Sequence, residues 1–155
     1  MKKQLKKLVL ILVAAPMFTM TAQTKPSDAK AAIEAVLVES YVEGVFRKFN
    51  EKAIRDGFHK DFQFHAPMMS PQGRTLKKFD LDTWVNMLKN MKFENIEYKL
   101  LDVNVTDDAA VTVNEIYQDG KKLYTDYMVW QNLDGKWKIM GKVFAYHQKR
   151  MRRPQ

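Results

Sequence analysis

Two Asp-Gly pairs, Asp119-Gly120 and Asp134-Gly135, most constrain what this chain can fold into. Each lies between segments that alternate apolar and polar residues. Such a pair is a strong hairpin signal, because a two-residue turn needs positive φ at both central positions. Residues 110–146 therefore read as three antiparallel strands joined by tight reversals. Counting outward from the second turn, Trp130 faces Ile139, Met128 faces Gly141 and Asp126 faces Val143. From the first turn, Tyr124 faces Glu115, Asp126 faces Val113 and Met128 faces Val111. One sheet face is then expected to carry Val111, Val113, Glu115, Tyr124, Asp126 and Met128, continued by Trp130, Trp137, Ile139 and Val143. It is an apolar, aromatic wall with two carboxylates set into it.

The preceding residues predict helices. A first helix starts near Ser27 or Asp28, either of which can cap it, and runs to Lys48 with Ile33, Val36, Leu37, Tyr41 and Val45 along one stripe. Gly44 within it implies close backbone contact, since glycine there costs about 1 kcal/mol against alanine. Asn50 caps a second helix through Arg55, with Gly57 as its stop. Residues 62–65 form a short strand and 67–73 a loop whose Met68-Met69 pair could edge a pocket. Asp80 caps a third helix bearing Leu81, Trp84, Val85, Leu88 and Met91. Residues 95–106 are a long strand; whether Leu101, Val103 and Val105 face inward depends on one residue of turn length. The fold class is α+β: three helices packed on a curved four-stranded antiparallel sheet plus a short strand.

Residues 1–22 stand apart. Lys2, Lys3, Lys6 and Lys7 precede an apolar run over 8–15 and then small residues, the order of a secretory signal. The run is too short to span a membrane. The expected organisation is a signal peptide at 1–22, a linker at 23–28, the folded domain at 29–147 and a basic tail at 148–155, in an exported (periplasmic or secreted) protein with no stable membrane insertion after cleavage. The net charge of +8 loses four positive charges with the leader and four more with Lys149, Arg150, Arg152 and Arg153, so the folded part is near neutral. That distribution disfavours nucleic-acid binding. With no cysteine, disulfides and thiolate chemistry are excluded.

Several short pieces carry a resemblance. They are Tyr41-Val42-Glu43-Gly44, Phe58-His59-Lys60-Asp61, Ala109-Ala110-Val111, Asp126-Tyr127, and Gly135-Lys136-Trp137-Lys138-Ile139 leading to Lys142-Val143-Phe144. In this order they resemble the nuclear transport factor 2-like fold, a cone-shaped α+β barrel shared with polyketide cyclases and ketosteroid isomerases, and within it the bacterial group called putative lumazine-binding proteins. The resemblance covers 29–146. It implies a pocket between the concave sheet face and the helices, and a pterin-like or other planar ligand.

In such a pocket Asp126 and Glu115 would be desolvated carboxylates, able to act as general base or acid. Asp126 next to His65 would make a proton-transfer pair; in an enzyme Asp126 would shuttle the proton, with His65 or Tyr41 polarising the substrate. The plainer readings are that Asp126 accepts a hydrogen bond from Tyr41 or Tyr124 and orders the interior, and that His65 is a rim residue. Glu115, Trp84, Trp130, Met128, Tyr98 and Tyr124 are the candidate ligand contacts. No histidine pair has metal-ligand spacing and no phosphate loop is present, so no metal or cofactor is expected. The opposite sheet face would hold Ile116, Tyr127, Val129, Met140, Phe144 and Tyr146 among Thr112, Thr125, Lys138 and Lys142. That is too apolar for a solvated face, and it predicts a homodimer, as related folds use this surface. The open functions are small-molecule binding, a cofactor-free isomerase, dehydratase or cyclase, and a partner-binding module with a filled cone.

Overall fold

The computed structural model describes residues 25–147. The expected leader and basic tail lie outside the described residues. The first helix comprises an α-helical part, α1 (Pro26–Val36), and a π-helical continuation (Leu37–Arg47). It starts on proline, without the side-chain cap expected from Ser27 or Asp28. The wider π turn brings residues four apart nearly into line, and Leu37, Tyr41 and Val45 are all buried. Helix α2 (Glu51–Gly57) is capped by Asn50, whose side chain accepts from Ala53 N–H at 3.1 Å. Helix α3 (Leu81–Leu88) is capped by Asp80, which accepts from Thr83 N–H at 2.8 Å.

Glycine decides how the π segment meets α2. A Cβ on Gly44 would lie 3.2 Å from Ile54 Cγ1, and one on Gly57 would lie 2.0 Å from Ser40 Oγ. At Gly57 a larger residue would force Ser40 aside, whereas at Gly44 it would need Ile54 to give way by a few tenths of an ångström.

The strands are β1 (Phe58–Ser70), β2 (Gly73–Asp80), β3 (Ile96–Thr106), β4 (Ala109–Gln118), β5 (Lys121–Leu133) and β6 (Lys136–Tyr146). They form one six-stranded sheet in the order β2-β1-β6-β5-β4-β3, with β1 parallel to β6 and every other pair antiparallel. This corrects the expected four-stranded antiparallel sheet with one short strand. Residues 67–73 are not a loop: Pro67 pairs with Leu76 and Met68 with Thr75. Beyond His65, β1 pairs only with β2, so it has an open edge there, and proline's missing donor is tolerated on an edge. In β2 only Phe79 is buried, which removes any alternation from its sequence.

Both Asp-Gly corners are two-residue turns with positive φ at Asp119, Gly120, Asp134 and Gly135. Pairing beyond them departs from the simple count. In β5 Leu123 is an extra residue, so that Tyr124 faces Ile116, Asp126 faces Asn114 and Met128 faces Thr112. In β6 Met140 is extra: Trp130 still faces Ile139, but Met128 faces Lys142 and Asp126 faces Phe144. Each bulge reverses the facing of everything past it on one strand. The inner face therefore carries Thr112, Asn114 and Ile116 on β4, and Lys142 and Phe144 on β6. Val111 and Val143, expected inside, are outside and about half exposed. A third irregularity at Leu101 turns that side chain outward while Val103 and Val105 pack against the core.

Candidate functional site

Helix α3, the end of the π segment, β5, β6 and the β1–β2 ribbon enclose a cavity of about 360 Å³. Its walls are aromatic: Phe46, Phe64, Phe79, Trp84, Phe93 and Tyr124. The rings support one another: Phe64 lies 4.9 Å from Phe79 in a stack and 5.6 Å from Trp84 edge-on, and Phe46 lies 4.8 Å from Phe93. Such pairs add about 1 kcal/mol each beyond the area they bury. Met68, Met87 and Met91 border the opening, each partly exposed. The Met68 side of the expected pocket lip is thus at this mouth.

One charged side chain reaches the cavity from its floor. Lys142 is 9% exposed, and its Nζ lies 3.0 Å from Oδ1 of the fully buried Asp126. The approach is an ion pair outside hydrogen-bond geometry. Nζ donates instead to the Tyr41 hydroxyl, which donates to Asp126 Oδ2 at 2.7 Å. Asn114 Nδ2 gives Oδ2 a second, longer bond of 3.3 Å. Four rings surround the ammonium at 4.6 Å (Tyr41), 5.3 Å (Phe144), 5.7 Å (Trp84) and 5.8 Å (Tyr124). All are within the range where a ring quadrupole attracts a cation.

Burial, the Asp126 charge and the bond to it push the Tyr41 phenol well above its ordinary pKa. It is a donor, not a base. The Tyr124 phenol is pushed up to about 12, by burial first and then by Tyr146 and Asp126.

The expected site residues divide. Trp84 and Tyr124 line the cavity, and Tyr41 and Asp126 stand beneath it, joined through Lys142. Asp126 is closed off from the ligand space by Lys142, Tyr41 and Asn114. Met128 and Trp130 are core, with Trp130 Nε1 donating to Thr112 Oγ1 at 2.9 Å. Tyr98 reaches α1, where its hydroxyl donates to Glu34 at 3.4 Å. Glu115 is on the other face, between Tyr117, which donates to it at 2.6 Å, and Lys122. Those two donors hold its carboxyl below the usual range, opposite to the desolvated acid expected there. His65 is also on the outer face, beside Asp61, Gln63 and Tyr127 in a shallow depression of about 490 Å³. It forms no pair with Asp126.

The residues that sequence reasoning missed are Lys142 and Phe144, which it assigned to the outer face, and Lys77 and Phe79 on β2. A usable signal was Gly141, since a glycine inside a strand pattern marks a bulge. Among the described residues no three His, Cys, Asp or Glu side chains converge as metal ligands.

Helices over one face of a mixed sheet, with a pocket between them, define the nuclear transport factor 2-like class. A family model described as putative lumazine-binding matches residues 28–145, and the chain belongs to that family. Solved structures agree on the fold. A nuclear transport factor 2-like protein of unknown function from Shewanella baltica OS155 is 16% identical, with a TM-score of 0.68 over 81% of this chain and 99% of that one. One from Silicibacter pomeroyi DSS-3 is 21% identical, with a TM-score of 0.67 over 80% of this chain and 100% of that one. A type 2 hexachlorocyclohexane dehydrochlorinase, LinA, is 12% identical, with a TM-score of 0.53 over 77% and 86%. At such identities the likeness shows the fold alone. A search of curated protein sequences finds no match.

Proposed function

We propose that this chain is a binding protein for a small, largely apolar, planar molecule. The ligand occupies the aromatic cavity and accepts a hydrogen bond from the Lys142 ammonium. The observation that carries this reading is a cationic donor at the floor of a 360 Å³ aromatic space, its charge already balanced by Asp126. Binding sites characteristically combine apolar walls with a few placed polar groups. A pteridine with ring carbonyls, the kind of ligand the family description names, matches that chemistry: flat faces for the rings and an acceptor for Lys142. The free volume weighs against a cone filled by its own side chains.

Native mass spectrometry of freshly purified protein tests the proposal. A co-purified molecule is expected on the wild type and absent from Lys142→Met. Protein that stays free of ligand and binds no pteridine or simple aromatic carbonyl compound would reject it.

The enzymatic alternative, a cofactor-free isomerase, dehydratase or cyclase, would rest on Lys142 polarising a carbonyl rather than on Asp126 or His65, since Asp126 is sealed off and His65 is outside. Export and dimerisation belong to the same proposal. For the dimer, Ile116 and Phe144 are withdrawn from the surface. What supports it is a contiguous outer patch of Val111, Tyr127, Val129 and Val143, each about half exposed and adjacent in register. Sedimentation at micromolar concentration is expected to give a dimer, and Tyr127→Glu a monomer; a monomeric wild type removes the claim.

A further inference from the structure

We propose that the cavity selects an apolar monoanion, seated ring-first, with its acidic group held at the mouth by Lys77. This rests on reading the cavity as a ligand site. The charges on its walls are two lysines, Lys77 and Lys142, and no carboxylate side chain lines it among the described residues.

The two lysines are not equivalent. Lys142 is buried and neutralised by Asp126 at 3.0 Å. A full negative charge placed beside that pair would leave a net charge out of water, which a low-dielectric site resists. A neutral carbonyl or ring nitrogen adds none. The floor therefore accepts a neutral edge.

Lys77 is exposed on β2, opposite Ala66 of β1, with its Nζ 5.1 Å from the Phe79 ring. Residues two apart on a strand share a face, so Lys77 and Phe79 both look toward the cavity. Lys77 makes no ion pair with any described residue. The acids nearest it in sequence are engaged elsewhere: Asp80 caps α3 and Asp82 pairs with Arg55 at 2.7 Å. Its ammonium stands over the Phe79 ring at the opening and, on an exposed residue, stays within reach of water. An anion there keeps its own hydration on one side and meets an unmatched cation on the other. The methionines at the same opening are unbranched and can adapt to the ring that passes them.

The test is isothermal titration of one ring system in three charge states, each with a ring nitrogen to accept from Lys142: quinoline-6-carboxylate, quinoline-6-carboxamide and quinolin-6-ylmethanamine. Wild type, Lys77→Ala and Lys142→Met are compared at low and high salt. The carboxylate is expected to bind wild type about fivefold tighter than the amide, the size of one partly screened ion pair, with the amine weakest. High salt should shrink that preference, and Lys77→Ala should erase it, bringing acid and amide to equal affinity. An amide that binds as tightly as the acid, or a preference that survives Lys77→Ala and disappears in Lys142→Met, overturns the proposed seating but leaves the cavity reading intact. Failure of all three to bind folded protein rejects the cavity reading itself.

Discussion

Replacing Lys142 by methionine keeps most of the side-chain volume and removes its charge. Asp126, with no exposed surface, would then retain only the Tyr41 hydroxyl at 2.7 Å and the Asn114 amide at 3.3 Å. Removing one partner of a buried pair costs about 3–5 kcal/mol, because the other charge is left uncompensated. The two remaining donors hold the variant near the lower limit, about 3 kcal/mol, or roughly 10 °C in Tm for a domain of this size. Urea denaturation followed by tryptophan fluorescence measures it. Asp126→Asn preserves shape and complements the first change. The double variant buries no unmatched charge and should be more stable than Lys142→Met alone, giving a coupling energy of about 2 kcal/mol. A single-variant cost below about 1 kcal/mol, with strictly additive effects in the double, would refute a buried, ordered pair.

Gly57→Ala places a Cβ 2.0 Å from Ser40 Oγ and 2.3 Å from Ser40 Cβ, so it should destabilise by about 3 kcal/mol in chemical denaturation, with Ser40→Gly restoring much of the loss. Tyr41 and Tyr124 both have raised pKa values in the fold, so their stability contribution is complete below about pH 10 and is lost as pH rises toward 12 and beyond. An alkaline titration followed by near-ultraviolet circular dichroism should show that loss, and Tyr124→Phe should weaken it. Of the three tryptophans only Trp84 lines the cavity. A bound aromatic ligand should therefore change emission in wild type and leave it unchanged in Trp84→Phe.

Much of this architecture was legible because its signals are local. The Asp-Gly corners dictate tight turns by their φ requirement, and Asn50 and Asp80 sit where a helix needs an acceptor. The stripe Ile33, Leu37, Tyr41 and Val45 marks the buried helix face even though half of that helix is π. What was not legible is a matter of parity. Leu123 and Met140 each add one residue to a strand, and past each addition the alternation of inside and outside reverses. Asp126 kept its inward facing, while Glu115 exchanged places with Asn114 and Ile116, and Val143 with Lys142 and Phe144. A lysine flanked by apolar residues reads as solvated unless the bulge before it is recognised. Strand β2 escaped notice for a different reason: its residues are almost all exposed, so burial imposes no period, and Pro67 interrupts the partner it pairs with.

After His65 strand β1 parts from β6 and pairs with β2 alone, and that hairpin, with Ala66, Met68 and Lys77, builds one side of the cavity. Trimming or extending that hairpin two residues at a time would raise or lower one side of the cup while every pairing in the main sheet stayed as it is. The length of molecule such a vessel can hold is thus adjustable at its lip, by changes that never reach Tyr41, Asp126 or Lys142 at the base.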